Sequence, residues 1–314
     1  MEHQALEALN EVYPVNITKV ESVTNEMFRC MAREGIYYAR ITNYKSYDEQ
    51  LEEVRYTNFL YNEGFGVSPT ITSIHGKYVE TLTIDRDVNT VLYKAASGSH
   101  LPRSQWNANV LQELGRNMGR LHRLSKKYEH MEEIRYIYDW HHNEEYAFLK
   151  YIPHVESSIR EIADEVLSTI KKLPKNDSTY GLLHGDIWLE NVIVDRSLKM
   201  TLVDFQDCEK HFYLFDLAVV IFSALEYSFV GSGNILDYRR SITKAIIDGY
   251  QEEYDLSPDM LRRLPLFIKL KELFEYCVMH MNWDTEKLTE NQVRIMNLYR
   301  LRIESNHSIA PYFP

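Results

Sequence analysis

The sequence predicts an α+β chain of two lobes: an N-terminal lobe built on an antiparallel sheet plus one helix, and a C-terminal lobe that is mostly helical. Three observations carry this. Apolar and polar residues alternate through much of the first 93 residues, the pattern of half-buried strands. From Ser104 onward apolar residues recur at helical spacing. Inside that helical half, three short apolar runs bracket a dense polar motif, His184-Gly185-Asp186, then Asn191, then Asp204.

Residues 18–23 and 27–31 read as strands about a short turn, and 36–42 as a third, with Tyr37, Ala39 and Ile41 alternating against Tyr38 and Arg40. Tyr47–Asn62 reads as a helix, apolar at Leu51, Val54, Phe59 and Leu60 and closed by Gly64. Pro69 opens a strand at 70–74, and His75-Gly76-Lys77 turns it as a hairpin into 78–84. A hinge is expected near 92–96, dividing a lobe of residues 1–93 from one of 94–314. Beyond it a helix starts at Pro102 or Ser104 and runs to about Lys126. Its Gly115 and Gly119 share one face, where a neighbouring backbone could approach closely. Helices follow at 139–151 and 155–172, strands at 181–183, 192–194 and 201–203, and helices at 213–227, 236–253, 258–282 and 286–304. Ser257-Pro258 is a start signal, with Ser as N-cap and Pro in the first turn.

Composition bounds the function. At 314 residues the chain is long enough for two lobes with real cores. A net charge of −11 without a basic stripe argues against nucleic acid as a partner and mildly favours cationic ligands. The best apolar run, 214–225, is too short to span a bilayer and carries Asp216, so no membrane partner is expected. Met1-Glu2-His3-Gln4 lacks the pattern of a signal peptide. Three scattered cysteines without a CxxC suggest neither zinc nor a disulfide framework, which fits the cytoplasm. Nothing in the sequence sets the oligomeric state.

The motif carries chemistry. Asn191 follows Asp186 by five residues, and Asp204 follows Asn191 by thirteen. Protein kinases place H-R-D-x-x-x-x-N before D-F-G, with one Asp as base and Asn and the second Asp on magnesium. Phosphoryl transfer needs this kit: a carboxylate beside the acceptor hydroxyl, and oxygen ligands holding Mg²⁺ on the ATP phosphates. No G-x-x-x-x-G-K-[ST] occurs, which excludes a P-loop kinase.

Gly185 replaces the Arg of H-R-D, and Asp204-Phe205-Gln206-Asp207 replaces D-F-G. In this form the motif resembles the aminoglycoside phosphotransferase and choline kinase-like family, small-molecule kinases with the bilobal protein-kinase-like fold. Phe215-Asp216-Leu217-Ala218 is similar to that family's D-L-A segment, and residues 114–124 to its helix ending in L-x-x-L-H. The resemblance covers about residues 20–280 and is strongest over 183–218. It implies that Asp186 accepts or orients the proton of a substrate hydroxyl, that Asn191 and Asp204 hold Mg²⁺ on ATP, and that Asp216 braces the catalytic loop. His184 packs behind that loop, and Asp207 could add an acid at the metal. Tyr37-Tyr38-Ala39-Arg40 occupies the V-A-I-K position, which puts Arg40 where a lysine normally grips phosphate. Glu52 or Glu53 would brace it, with Glu53 favoured by the spacing of the following Phe59-Leu60; Lys45 is a rival phosphate ligand. The loop 22–27, which would cover the nucleotide, has no glycine, but could still offer backbone N–H groups to phosphate.

The expected activity is transfer of the γ-phosphate of ATP to a hydroxyl of a small molecule, aminoglycoside-like or another amino alcohol. A cationic acceptor is expected from the acidic composition and from Asp207, Glu209, Glu272, Glu275, Tyr276, Trp283 and Asp284. Three alternatives stay open. A protein kinase is opposed by Gly185, by the missing D-F-G glycine and by the lack of A-P-E. A non-catalytic nucleotide- or ligand-binding protein on a kinase scaffold has Arg40 and the glycine-free loop as its best support and is opposed by intact Asp186, Asn191 and Asp204. A fructosamine-type kinase is suggested by Trp188, since HGDIW resembles that group's HGDLW, although Leu189-Glu190 departs from it; a homoserine-type kinase is the other option within the family.

Overall fold

Residues 2–228, 235–305 and 309 are described by a computed structural model. The chain opens on a helix the sequence reading did not anticipate, α1 (Glu2–Val12), whose Ala5 and Leu9 are fully buried. Then come β1 (Ile17–Ser22), β2 (Met27–Ala32) and β3 (Gly35–Thr42), each antiparallel to the last, with Phe28 opposite Ala39 and Met27 opposite Arg40. Helix α2 (Tyr47–Asn62) has the predicted bounds because Ser46 and Glu49 form a reciprocal capping box. Strands β4 (Glu80–Thr83) and β5 (Asp87–Lys94) complete a five-stranded antiparallel sheet of order β1-β2-β3-β5-β4.

Two expectations fail here. Residues 70–74 are not a strand; only Thr70 bridges to Tyr93. Gly76 does turn the chain, but β4 pairs with β5 and not with 70–74. The Ser73 hydroxyl is the cause: it donates to Glu80 at 2.6 Å and accepts the N–H groups of His75 and Lys77, closing a side-chain-held loop where a ladder would have run.

The remaining elements are β6 (Ser99–His100), α3 (Ala108–Met131), α4 (Phe148–Tyr151), α5 (Ser157–Lys171), β7 (Tyr180–Leu183), β8 (Val192–Val194), β9 (Met200–Leu202), β10 (Glu209–Phe212), α6 (Leu214–Ser228), α7 (Ile235–Gln251), α8 (Pro258–Leu261), α9 (Leu264–Asn282) and α10 (Glu290–Glu304). Helix α3 starts later than expected because the Asn107 side chain accepts the N–H groups of Asn109 and Val110. The helix expected over 139–151 is a chain of short turns, interrupted where Asn143 takes an extended backbone. That expected over 258–282 is broken into α8 and α9, with Pro265 in the first turn of the second. Helix α10 begins at a Thr289–Gln292 capping box, four residues past the expected start.

By internal packing the chain forms two compact units. The first comprises the residues up to His100 together with Tyr128–Ile137 and Asn191–Asp207. Its sheet packs Tyr37, Ala39, Ile41 and Leu92 into one core with α1, while Val54 of α2 packs with Val79 and Val91 in another. Both later segments dock on α2. Tyr128 lies against Tyr56 and Phe59, with ring centroids 5.3 and 5.0 Å apart, and Phe205 meets Tyr56 edge-on at 6.0 Å.

The second unit comprises Leu101–Lys127, Tyr138–Glu190 and the chain from Cys208 on. Helix α6 is its centre, buried from Leu214 through Leu225, and it packs against α7 and α9. The glycine face of α3 meets α7 as expected. A Cβ at Gly115 would lie 2.1 Å from the Ile246 carbonyl oxygen, and one at Gly249 would lie 1.9 Å from that of Gln112. Among the described residues no helix is long and apolar enough to cross a membrane, and Cys30, Cys208 and Cys277 are buried and free.

Candidate active site

In the first unit Arg40 lies on β3 opposite Val91 and reaches Glu53 on α2. Nη1 donates to Oε1 at 2.9 Å and Nη2 to Oε2 at 2.8 Å, and both residues are 3% exposed. Burial alone would lower the Arg40 pKa. The Glu53 carboxylate more than offsets this and the pKa is raised, with Asp204 among the smaller contributors. The Arg40 Nε is buried and finds no partner among the described residues. The neighbouring Glu52 does something else: it accepts the backbone N–H groups of Arg135, Tyr136 and Ile137, at 2.9 Å for Arg135 and 2.7 Å for Ile137. Lys45, half-buried, lies just before the cap of α2.

The β1–β2 loop has less to offer a phosphate than its sequence suggested. Val23 and Thr24 donate their N–H groups to the Met27 carbonyl, at 2.8 and 3.1 Å. Glu26 and Met27 donate theirs to the Thr24 hydroxyl, at 3.2 and 3.0 Å. Four backbone donors are thus spent inside the loop.

Strands β8 and β9 pair with Val192 opposite Leu202, and Val203 N–H donates to the Asn191 carbonyl at 3.0 Å. Asn191 and Asp204 therefore leave the hairpin at the same end. Asp204 is exposed and holds a left-handed backbone, φ 66°, a region Asp tolerates better than most residues. The buried Phe205 beside it anchors the turn on α2. Among the described residues no group of three or more His, Cys, Asp or Glu is arranged to hold a metal. A nucleotide-bound Mg²⁺ does not need one: it keeps waters and phosphate oxygens and takes one or two protein oxygens. Asn191 and Asp204 carry oxygens of the kind such an ion takes, and the Arg40 Nε is an N–H donor, a type that phosphate accepts from.

In the second unit β7 delivers His184-Gly185-Asp186. Asp216, fully buried in the first turn of α6, holds this loop by its backbone. Its Oδ2 accepts His184 N–H at 3.0 Å and its Oδ1 accepts Gly185 N–H at 2.9 Å. A helix N-terminus favours a carboxylate there. Gly185 has φ 87°, which explains why the Arg of H-R-D is replaced: a side chain at this position would be strained. His184 is buried, and its Nδ1 accepts Asp186 N–H at 3.3 Å, so it packs behind the loop as expected.

Sequence reasoning missed three partners. His122 of α3 bonds Asp216 through Nε2 at 3.0 Å and the Tyr250 hydroxyl through Nδ1 at 2.8 Å. Lys271 of α9 places Nζ 3.4 Å from Oδ1 of Asp186, whose side chain is 30% exposed. The only signal for His122 was its place at the end of the L-x-x-L-H helix; Lys271 gave none beyond a lysine set between Leu270 and Leu273.

Most of the residues expected to greet a cationic acceptor already have side-chain partners. Glu209 is buried and accepts from Asn143 and from the Tyr146 hydroxyl. Glu272 is 1% exposed and pairs with Lys269 at 3.5 Å and Arg302 at 2.8 Å. Glu275 pairs with Lys271 at 2.7 Å, Asp284 with Lys287 at 3.5 Å, and the Tyr276 hydroxyl donates to Glu156 at 2.7 Å.

Residues 16–264 match the description of the APH phosphotransferase enzyme family. The chain is 26% identical over 292 residues to an amicoumacin kinase of Bacillus subtilis strain 168, covering 92% of this chain and 87% of that protein. Among solved structures it resembles an amicoumacin kinase in complex with AMP-PNP, Ca²⁺ and Ami, with a TM-score of 0.91 at 22% identity, covering 99% of this chain and 96% of that one. It also resembles a microcompartment-associated aminopropanol kinase, with a TM-score of 0.74 at 18% identity and coverage of 96% and 94%.

Proposed function

Because the chain belongs to the APH phosphotransferase enzyme family, and so is an ATP-dependent kinase of small-molecule hydroxyls, we propose that Asp186, Asn191, Asp204, Arg40 and Glu53 are its working residues. Residues 1–93 then serve as the nucleotide-binding lobe, and 94–314 as the helical lobe with catalytic loop and acceptor site.

The observation that carries this reading is the shared exit of Asn191 and Asp204 from one hairpin of the first unit; within the second, Asp186 stands on a loop braced by Asp216. Asn191 and Asp204 would hold Mg²⁺, whose chemistry there is to draw charge off the ATP phosphates. Arg40, held by Glu53, contributes a fixed positive charge for phosphate. Asp186 takes or orients the hydroxyl proton as the acceptor oxygen attacks the γ-phosphorus; the bond to the leaving oxygen breaks and ADP departs. No covalent enzyme intermediate is needed, since positioning and charge neutralisation carry the rate.

The acceptor in this reading is a small alcohol bearing an amine, of the kind handled by the amicoumacin and aminopropanol kinases the chain resembles. Buried free cysteines agree with a cytoplasmic setting. The experiment is ADP release and product mass over a panel of amicoumacin, aminopropanol, choline, an aminoglycoside, homoserine and neutral sugars. Turnover of amino alcohols supports the reading. Turnover confined to neutral or anionic alcohols removes the cationic acceptor and leaves the kinase.

A further inference from the structure

Lys271 is a buried cation beside Asp186 that has no part in the reaction above. Its side chain is 1% exposed. Nζ lies 2.7 Å from Glu275 Oε1, one turn further along α9, and 3.4 Å from Asp186 Oδ1. It also stands 4.6 Å from the ring centre of Phe274 and 5.5 Å from that of Trp188. Burial would push the lysine's pKa down; Glu275 first and Asp186 second more than reverse this, so the group stays an ammonium.

We propose that Lys271 is a positioning residue for Asp186: its ammonium fixes the Oδ1 edge of the carboxylate and so sets how Asp186 meets the acceptor hydroxyl. This rests on the reading of Asp186 as the residue that receives that hydroxyl. The two distances divide the work. The 2.7 Å contact to Glu275 anchors the ammonium, and the longer 3.4 Å contact steers Asp186 without a tight bond that would compete for the incoming proton. A lysine serving the packing alone would be neutralised by Glu275 and would need no second carboxylate. Buried ion pairs are poor stabilisers compared with apolar residues of like volume, so stability alone does not account for a charge here. The two aromatic faces add cation–π attraction and shield the ammonium from water.

The test uses the full chain with Mg²⁺-ATP and the alcohol turned over best in the panel above. The variants are Lys271→Met, Lys271→Arg, the double variant Lys271→Met/Glu275→Gln, and Asp186→Ala. The double variant leaves no buried carboxylate facing a lost cation at Glu275, so it reports even where Lys271→Met fails to fold. The expected result is a kcat loss of about tenfold or more in Lys271→Met and in the double variant, short of the roughly 10²–10⁴ that the acid–base group itself is worth. The KM for ATP stays at the wild-type value, and Lys271→Arg recovers most of kcat. Wild-type kcat in the double variant, or a loss in all three lysine variants confined to thermal stability, overturns the proposal while Asp186 keeps its role. Activity persisting in Asp186→Ala removes that role and the proposal with it.

Discussion

Arg40 and Glu53, thirteen residues apart on β3 and α2, close a two-pronged ion pair at 2.9 and 2.8 Å with both side chains out of water. An arginine can engage both carboxylate oxygens at once with a planar fork, where a lysine offers a point charge. Removing one partner of a buried pair leaves the other charged and uncompensated, which costs about 3–5 kcal/mol. Arg40→Ala and Glu53→Ala should each lose stability on that scale and each raise the KM for ATP. Their effects should be less than additive in the double variant, because the residues act as one pair. Denaturant unfolding and nucleotide titration of the three variants measure both. Strictly additive KM effects would move the phosphate grip to Lys45.

Glu52 and Glu53 are neighbours with different employment, and substitution should separate them. Glu52 binds three backbone N–H groups of 135–137. Glu52→Gln keeps one acceptor oxygen but loses the charge, and should cost about 1–3 kcal/mol with ATP KM unchanged. Glu53→Gln should raise the KM. A raised KM in Glu52→Gln would mean the 135–137 contact is not the whole of its role.

Asp204 offers an exposed carboxylate at the end of the β8–β9 hairpin beside Asn191. Asp204→Ala should weaken binding of Mg²⁺-ATP far more than binding of ATP in the presence of a chelator. Calorimetric titration under both conditions decides the matter. Equal losses would make Asp204 a structural residue.

His211 gives the fold a pH dependence. It is fully buried, sandwiched between Trp140 and Phe215 with ring centroids 4.6 and 4.5 Å away, and burial pushes its pKa well below the usual value. The unfolded chain binds a proton near pH 6.5 that the folded chain refuses. Stability from this group is therefore present above about pH 6.5 and is lost as pH falls below it, by up to about 1.4 kcal/mol per pH unit. His211→Phe should flatten the slope of unfolding free energy between about pH 7 and 5. An unchanged slope would place the acid sensitivity in other groups.

What was legible in the sequence was local. The alternation of Tyr37, Ala39 and Ile41 marked β3, and the apolar face of Leu51, Val54, Phe59 and Leu60 marked α2. The spacing of Asn191 and Asp204 was readable because a single short hairpin joins them. Side-chain competition hid the loop at 70–80, where Ser73 supplies the bonds a strand partner would have supplied. The supports of the candidate site were not legible, because they are distant in the chain. His122 reaches Asp216 across 94 positions, Lys271 reaches Asp186 across 85, and Glu52 reaches Arg135 across 83. No periodicity records such pairings. The glutamates, tyrosine and aspartate expected around a cationic acceptor illustrate the converse: composition suggested availability, and the packing shows most of them already paired.

The central claim is that Asp186 serves the acceptor hydroxyl in phosphoryl transfer, and steady-state kinetics of Asp186→Ala with parallel nucleotide titration test it most directly. The loop that carries Asp186 is held by Asp216 through the backbone of His184 and Gly185, so truncating the Asp186 side chain leaves those bonds in place. The account predicts a kcat lower by about 10²–10⁴ with nucleotide affinity near that of the wild type. Turnover close to wild type in Asp186→Ala would contradict it.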